Sequence, residues 1–231
     1  MQRRKFTAGM AGMAELWALG AAPAVRAAGL TESDATLGIR AALERGAMVA
    51  VDLLGRRGGF LDNEKVRIPL PGFLNEAAKL LKYTGQQPRL DDLVTAMNRA
   101  AEAAAPQARL LLVNAAKAMS VDDARRIVTG TDTSVTQLFA TKTRAALSVK
   151  FLPIVTRATE KVALADKYNA IAGKAAGLGL VSQDDANIQH YVTGKALDGL
   201  YLMIGEEERK IRKNPVSTGS AILSKVFGSM R

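Results

Sequence analysis

Apolar residues recur along most of the chain at the three- and four-residue spacing of an amphipathic helix. In the first such run, over 34–54, the residues near helical spacing are Leu37, Ala41, Met48, Val51 and Leu54. Glycines at 55, 58 and 59 end it, because glycine tolerates the left-handed conformation that closes a helix. The same pattern predicts further helices over 72–83, 90–104, 106–119, 121–128, 134–150, 153–177 (one or two helices), 184–213 and 217–227. No strand–helix alternation indicates a sheet, so the predicted fold is all-α, a single multi-helix bundle over 28–231.

Prolines and short polar residues predict where these helices begin and end. Pro106 either breaks the run from 90 to 119 or begins a second helix at its first position. The segment that starts at Ser120 resembles a capping box, and Pro153 is expected to begin a new helix. Either Ser182 or Asp184 is expected to cap the long helix that ends before Pro215.

Residues 60–71 stand apart from the helical pattern. Val66 to Pro71 alternates and contains two prolines, which favours an extended loop. Such a loop serves as a lid or a partner-binding segment in some proteins, but it more commonly wraps across helix ends to cover the core.

The first 27 residues have the three parts of an export signal. Arg3, Arg4 and Lys5 form a positive start, an apolar stretch follows to Ala22, and small residues then offer cleavage after Ala24 or Ala27. The run from Arg3 to Phe6 resembles a twin-arginine signal. Thr7 stands where that signal often has leucine, so the general secretory route stays open. We therefore expect a periplasmic protein. No later stretch approaches 18 uninterrupted apolar residues, so no transmembrane segment is expected in the mature chain.

Composition narrows the classes of function. The chain has no cysteine and one histidine, His190, which disfavours thiol catalysis, most serine–histidine designs and common metal sites. Without the four basic residues and one acidic residue of 1–27, the totals of 32 and 22 become 28 and 21, a net charge of +7. A basic surface can favour anionic lipids. The basic residues are spread along the chain without interleaved aromatics, so nucleic acid is not expected as a partner.

Three motifs occur in an order that resembles a known family. They are Gly59-Phe60-Leu61-Asp62-Asn63 with Val66-Arg67-Ile68-Pro69-Leu70-Pro71, then Met97-Asn98-Arg99-Ala100-Ala101-Glu102, and then the run Tyr191 to Leu200 followed by Glu206-Glu207 and Ile211 to Pro215. Together they resemble the bacterial family known as domain of unknown function 4197, over roughly residues 35–228. The resemblance implies an exported helical protein without an assigned activity.

The predicted C-terminal helix keeps three glycines, at 194, 199 and 205. Each costs about 1 kcal/mol relative to alanine, which indicates that a neighbouring backbone or a ligand comes close. Tyr191, Lys195 and Asp198 share the adjacent face, and Glu207 and Arg212 continue the polar chemistry further along. These residues form either a polar or anion-binding site or a buried ion pair where two helices cross, and the second interpretation is favoured.

Asn98, Arg99 and Glu102 mark the helix predicted over 90–104, with Asn98 and Glu102 on one face. They could anchor a metal or a hydroxyl-rich ligand, but no histidine or third carboxylate at matching spacing joins them. The favoured alternative is a structural hydrogen-bond network that meets Lys195 or Arg212 across the bundle. No catalytic residue, cofactor site or metal site is predicted.

The leading hypothesis is a non-enzymatic periplasmic protein that binds a hydrophobic or amphipathic small ligand between its helices. The alternative is a module that docks on an envelope protein or on anionic lipid. A hydrolase that uses Glu102, Asp198 or Glu207 is less favoured, because no spacing selects a carboxylate pair.

Overall fold

The computed structural model describes residues 32–74, 83, 85, 87–131, 134–179, 182 and 185–214. The expected export signal and the helix expected over 217–227 lie outside these residues, as does most of the helix expected over 72–83. The described helices are α1 (Glu32–Gly55), α2 (Gln87–Ala104), α3 (Ala108–Lys117), α4 (Val121–Thr129), α5 (Ser134–Thr159), α6 (Ala163–Gly177) and α7 (Ile188–Lys213). Short 3-10 turns occupy Gly72–Leu74 and Ala105–Gln107. The described ranges contain no strand, which confirms the all-α prediction.

Helices α5 and α7 form the centre of the bundle and run antiparallel. Thr136, near the start of α5, lies against Gly205, whereas Arg144, two turns later, reaches back to Asp198. Between these contacts, the hydroxyl groups of Thr143 and Tyr201 lie 2.9 Å apart in the buried interface. Helices α1 and α2 pack on this pair, and α3 lies along α1. One continuous core thus reaches every described helix.

Helix α1 buries only part of the face on which the sequence pattern centred. Val51 and Leu54 are buried as expected, whereas Leu37 and Met48 remain substantially exposed and Ile39 is buried in their place. The helix is apolar on both sides, so spacing alone does not determine which side meets the core.

Two expected helix boundaries were wrong. The chain does not break at Pro153, because α5 continues through it to Thr159. Proline removes the hydrogen bond to the carbonyl four residues earlier, at Val149. Both residues are exposed, so that carbonyl lies on the solvent side of the helix. Helix α7 begins later than expected, and neither Ser182 nor Asp184 caps it. Asn187 does, accepting hydrogen bonds from the two backbone N–H groups at positions 189 and 190.

The capping box expected at Ser120 is confirmed. Its hydroxyl accepts from the Asp123 backbone, and the Asp123 carboxylate accepts from the Ser120 backbone. Within the described ranges, no helix has both the length and the apolar character needed to cross a bilayer.

Candidate binding groove

The segment 56–71, called the strap from here on, runs from the end of α1 across the side of the bundle. Near its start, Gly58 has a φ of +83°, a conformation that favours glycine. Phe60, Val66 and Ile68 then insert their side chains into the core, while Arg67 and Pro69 between and beyond them face outwards. The strap therefore covers apolar surface with alternate residues and presents the others to solvent.

Asn98 of α2 holds the middle of the strap. Its Oδ1 accepts from the Ile68 backbone N–H at 2.8 Å, and its Nδ2 donates to the Ile68 carbonyl at 2.9 Å. A further bond from Nδ2 to the Val94 carbonyl fixes the amide on its own helix. Asn98 is fully buried, and these bonds satisfy both of its donor hydrogens. A single side chain thus pairs with both backbone groups of Ile68.

Glu102, one helical turn further along α2, holds the start of the strap. Its Oε1 accepts from the backbone N–H groups of Phe60 and Leu61, each at 3.1 Å, and its Oε2 accepts from Arg99 at 2.6 Å. Burial by itself would raise the pKa of this carboxyl group. The hydrogen bonds from Leu61, Arg99 and Phe60 outweigh that effect and hold the pKa below 4.5. Glu102 is therefore a buried carboxylate whose charge is satisfied by the strap.

Helix α7 holds the other side of the strap. The Tyr191 hydroxyl donates to the Pro69 carbonyl at 3.1 Å, and burial followed by the charge of Asp185 raises the pKa of that phenol to about 12. At Gly199, an added Cβ would lie 2.9 Å from the Phe60 ring and 3.2 Å from Val66 Cβ. Only glycine lets the strap approach α7 this closely, so two of the motif residues on this helix receive the strap.

A groove of about 570 Å³ opens between the outer side of the strap and one face of α7. The strap contributes Lys65, Val66, Arg67, Ile68, Pro69 and Leu70 with Gly72 beyond it, and α7 contributes Tyr191, Lys195, Asp198, Gly199 and Leu202. Its size lies within the range of small-ligand sites. The cationic side chains of Lys65, Arg67 and Lys195 lie beside the apolar Leu70 and Leu202, which suits a molecule with a hydrocarbon part and a polar part.

A second groove, of about 460 Å³, lies on the other side of the row formed by Tyr191, Lys195 and Asp198. Its remaining wall comes from α5, including Arg144 and Val149, and from the turn before α7. Those three residues of α7 line both grooves, so the predicted polar face of that helix forms the ridge between them.

The predicted site residues divide into two groups. Asn98, Arg99 and Glu102 build the support of the strap, whereas Tyr191, Lys195 and Asp198 line the groove on its far side. The network of Asn98 and Glu102 was expected to meet Lys195 or Arg212 across the bundle. Its described partners are instead the strap backbone and α2 itself.

Glu207 lies apart from both groups. It accepts from Lys210 at 2.6 Å on its own helix and packs near Gly46 of α1. The side chain of Arg212 lies outside the described residues. Asp198 accepts from Arg144 at 2.8 Å. The three carboxylates that a hydrolase could use, Glu102, Asp198 and Glu207, therefore have separate partners. Among the described residues, no three histidine, aspartate or glutamate side chains gather into a metal site.

A close neighbour was expected at each of the three glycines of α7, and it is found at two of them. Gly199 and Gly205 each admit a close neighbour, Thr136 Oγ1 lying 2.7 Å from an added Cβ at Gly205. Gly194 faces open space, so no close approach explains it. Arg67, Leu202 and Arg144 also lie at the two grooves, although they were not predicted as site residues. Alternation along the strap puts Arg67 on the opposite side from Val66 and Ile68. This pattern is the sequence signal that could have identified Arg67 as a groove residue.

The fold and groove define a class: an all-α protein whose one irregular segment is clamped across two helices to form the wall of a surface groove. The chain matches the model of the family described as "Protein of unknown function (DUF4197)" over residues 29–228, and it belongs to that family. This match confirms the resemblance carried by the three motifs. No curated protein and no solved structure matches the chain.

Proposed function

We propose that this protein is a non-enzymatic binding protein of the periplasm that holds an amphipathic small ligand in the groove between the strap and α7. The observation that carries the proposal is that α2 and α7 fix the strap at separate points while its outer side lines an open groove. A preformed wall lowers the ordering cost of binding, so rigid support under an exposed groove favours a ligand site. The periplasmic location rests on the signal-like pattern of residues 1–27.

The groove is a better candidate than the space between the helices. The enclosed space lined by Ile39, Gly46 and Ile204 measures about 10 Å³, the size of a single water. Around it the core side chains are close-packed and almost fully buried. We therefore place the ligand on the surface of the bundle.

The ligand's apolar part would contact Leu70 and Leu202. Leu202 keeps 38% of its surface exposed although it projects from the central helix of the bundle, and Leu70 is partly buried on the opposite wall. Covering two such side chains would contribute roughly 1–3 kcal/mol at about 25 cal/mol per Å² of apolar surface. That suffices for weak binding, and polar contacts must supply the rest.

The test is a comparison of native and denatured masses of the protein purified from periplasm, followed by displacement of the neutral fluorophore N-phenyl-1-naphthylamine. We expect a bound species of a few hundred daltons that is lost on denaturation, and fluorophore binding that Leu202→Asn weakens. The matched control is Leu110→Asn on α3, at an exposed leucine outside the groove. If the purified protein carries nothing and the fluorophore does not bind, the proposal is wrong.

A second candidate is docking on another envelope protein, favoured by the outward side chains of Arg67 and Pro69 on a rigid extended segment. The two candidates differ in what Arg67→Glu changes. A docking role predicts loss of a cross-linked protein partner in the envelope, whereas the ligand role predicts a changed bound mass in the purified protein.

A further inference from the structure

We infer that the ligand of the groove is a single-chain amphiphile with an anionic head group, a carboxylate or phosphate, held by Arg67 and Lys195. This inference rests on the proposed function and adds the charge and orientation of the ligand. It comes from the pairing of charges along the groove.

Four charged residues other than these two take part in ion pairs around the groove. Lys65 lies 2.8 Å from Glu206, and Asp198 lies 2.8 Å from Arg144. Within each pair, the two opposite charges largely neutralise one another. Arg67 and Lys195 have no ion pair with any described residue, and both line the groove. Two positive charges on facing walls therefore remain available for an anion.

Neighbouring residues support the positions of both cations. Arg67 precedes Ile68, whose backbone N–H and carbonyl are both held by Asn98. The Lys195 ammonium lies 5.8 Å from the centroid of the Tyr191 ring, within the range of a cation–π contact. That contact places the ammonium beside a ring that also lines the groove. Arginine can in addition form two parallel hydrogen bonds to a carboxylate or a phosphate.

The position of the cations relative to the apolar wall sets the orientation. Leu202 follows Lys195 by seven residues on α7, which is roughly 10 Å along the helix at 1.5 Å per residue. The two side chains lie on one face because seven residues are nearly two turns. A head group at Lys195 therefore places a hydrocarbon chain towards Leu202, with Leu70 on the opposite wall.

Titration calorimetry of the full chain with three probes tests the inference. The probes are dodecyl phosphate, the neutral dodecyldimethylamine oxide and inorganic phosphate, the two amphiphiles being kept below their micelle concentrations at neutral pH. We expect dodecyl phosphate to bind about tenfold more tightly than the amine oxide, the gain of about one charge-assisted hydrogen bond. The gain should decrease as salt is raised. Inorganic phosphate alone should bind much more weakly than dodecyl phosphate.

The double variant Arg67→Gln/Lys195→Gln should lower the affinity for dodecyl phosphate about tenfold and so remove its preference over the amine oxide. Its matched control, Lys117→Gln/Arg126→Gln, makes the same change in net charge at exposed residues outside the groove and should keep the preference. Equal affinity of the wild type for both amphiphiles would overturn the inference and leave the proposed function standing. No binding of either would overturn both. Inorganic phosphate binding as tightly as dodecyl phosphate would show a free-anion site and also overturn both.

Discussion

Replacing Glu102 by alanine removes the side chain that accepts hydrogen bonds from two backbone N–H groups near the start of the strap. The N–H of Phe60 is buried and that of Leu61 is partly buried, and both donate to Glu102 Oε1 at 3.1 Å. Without the carboxylate, neither donor has another acceptor in place. Arg99 also loses its ion pair, but its side chain is 31% exposed and can be hydrated.

The expected cost follows from these two donors. A buried donor left without a partner costs about 1–3 kcal/mol, and the second, partly buried donor costs less. We therefore expect Glu102→Ala to lower the free energy of unfolding by about 2–4 kcal/mol. For a chain of this size, that corresponds to a decrease in Tm of roughly 6–12 °C. Glu102→Gln keeps an oxygen for the two donors but loses the charge and the acceptor for Arg99, so its cost should be about 1 kcal/mol.

Urea denaturation followed by circular dichroism measures the free energy, and hydrogen exchange at the Phe60 and Leu61 amides locates the effect. Both amides should exchange faster in Glu102→Ala. Glu64→Ala, at an exposed carboxylate of the same strap, is the matched control and should change neither quantity. An unchanged midpoint and unchanged protection in Glu102→Ala would refute the claim that this carboxylate holds the strap.

The dependence on pH gives a second check on Glu102. Its pKa in the folded protein lies below its ordinary value of 4.5, so the carboxylate stabilises the fold above about pH 4.5. That contribution is lost as the pH falls through the lower, folded-state pKa. The difference in stability between wild type and Glu102→Gln should therefore shrink in acid. A constant difference down to pH values well below 4.5 would contradict this assignment.

Four further substitutions test the other local contacts. Gly199→Ala should cost about 1–3 kcal/mol, because its Cβ would press on the strap's aromatic ring at 2.9 Å; Gly194→Ala, which meets open space, should stabilise by roughly 0.5–1 kcal/mol. Tyr191→Phe should cost about 0.5–1 kcal/mol by leaving the Pro69 carbonyl without its donor. Asp123→Asn should cost about 1 kcal/mol at neutral pH, since Asp123 completes the α4 capping box.

Thermal unfolding monitored by circular dichroism measures the effects of all four. Equal effects of the two glycine substitutions would show that the strap does not need the space at Gly199. The hydrogen bond from Lys142 and that from the Ser120 backbone hold the pKa of Asp123 below 3.8, so its contribution is present above that pH and fades in acid. A penalty for Asp123→Asn that persists unchanged in strong acid would contradict the cap.

The local parts of the fold could be predicted from the sequence, and the contacts that build the groove could not. Periodicity predicted the helices, and the spacing of Ser120 and Asp123 predicted a cap, because each side chain accepts from the other residue's backbone N–H within one turn. Asn98 and Glu102 were noticed as unusual, but their partners are backbone atoms 30–42 residues away. Every residue except proline carries the same N–H group, so the partner leaves no mark in the sequence.

The two helix boundaries that were predicted wrongly, at Pro153 and at the start of α7, also depend on contacts that the sequence does not show. A proline usually ends a helix, and Pro153 does not because the carbonyl it deprives is on the exposed side of α5. For α7, the sequence pattern offered Ser182 and Asp184 as caps, whereas Asn187 caps the helix. Which one caps depends on where the helix meets Asn169 of α6, whose side chain accepts from the Ile188 N–H.

The position of the strap in the chain has a consequence for the order of folding. The strap is bound by α2, 30 or more residues later in the chain, and by α7, at a separation of 122 residues from Pro69 to Tyr191. Contacts of such long range form only after the chain between them has been brought together. The strap can therefore dock only on helices that have already assembled, and the groove is complete last. In pulse-labelled refolding, the Phe60 and Ile68 amides should gain protection after those of the α5–α7 pair.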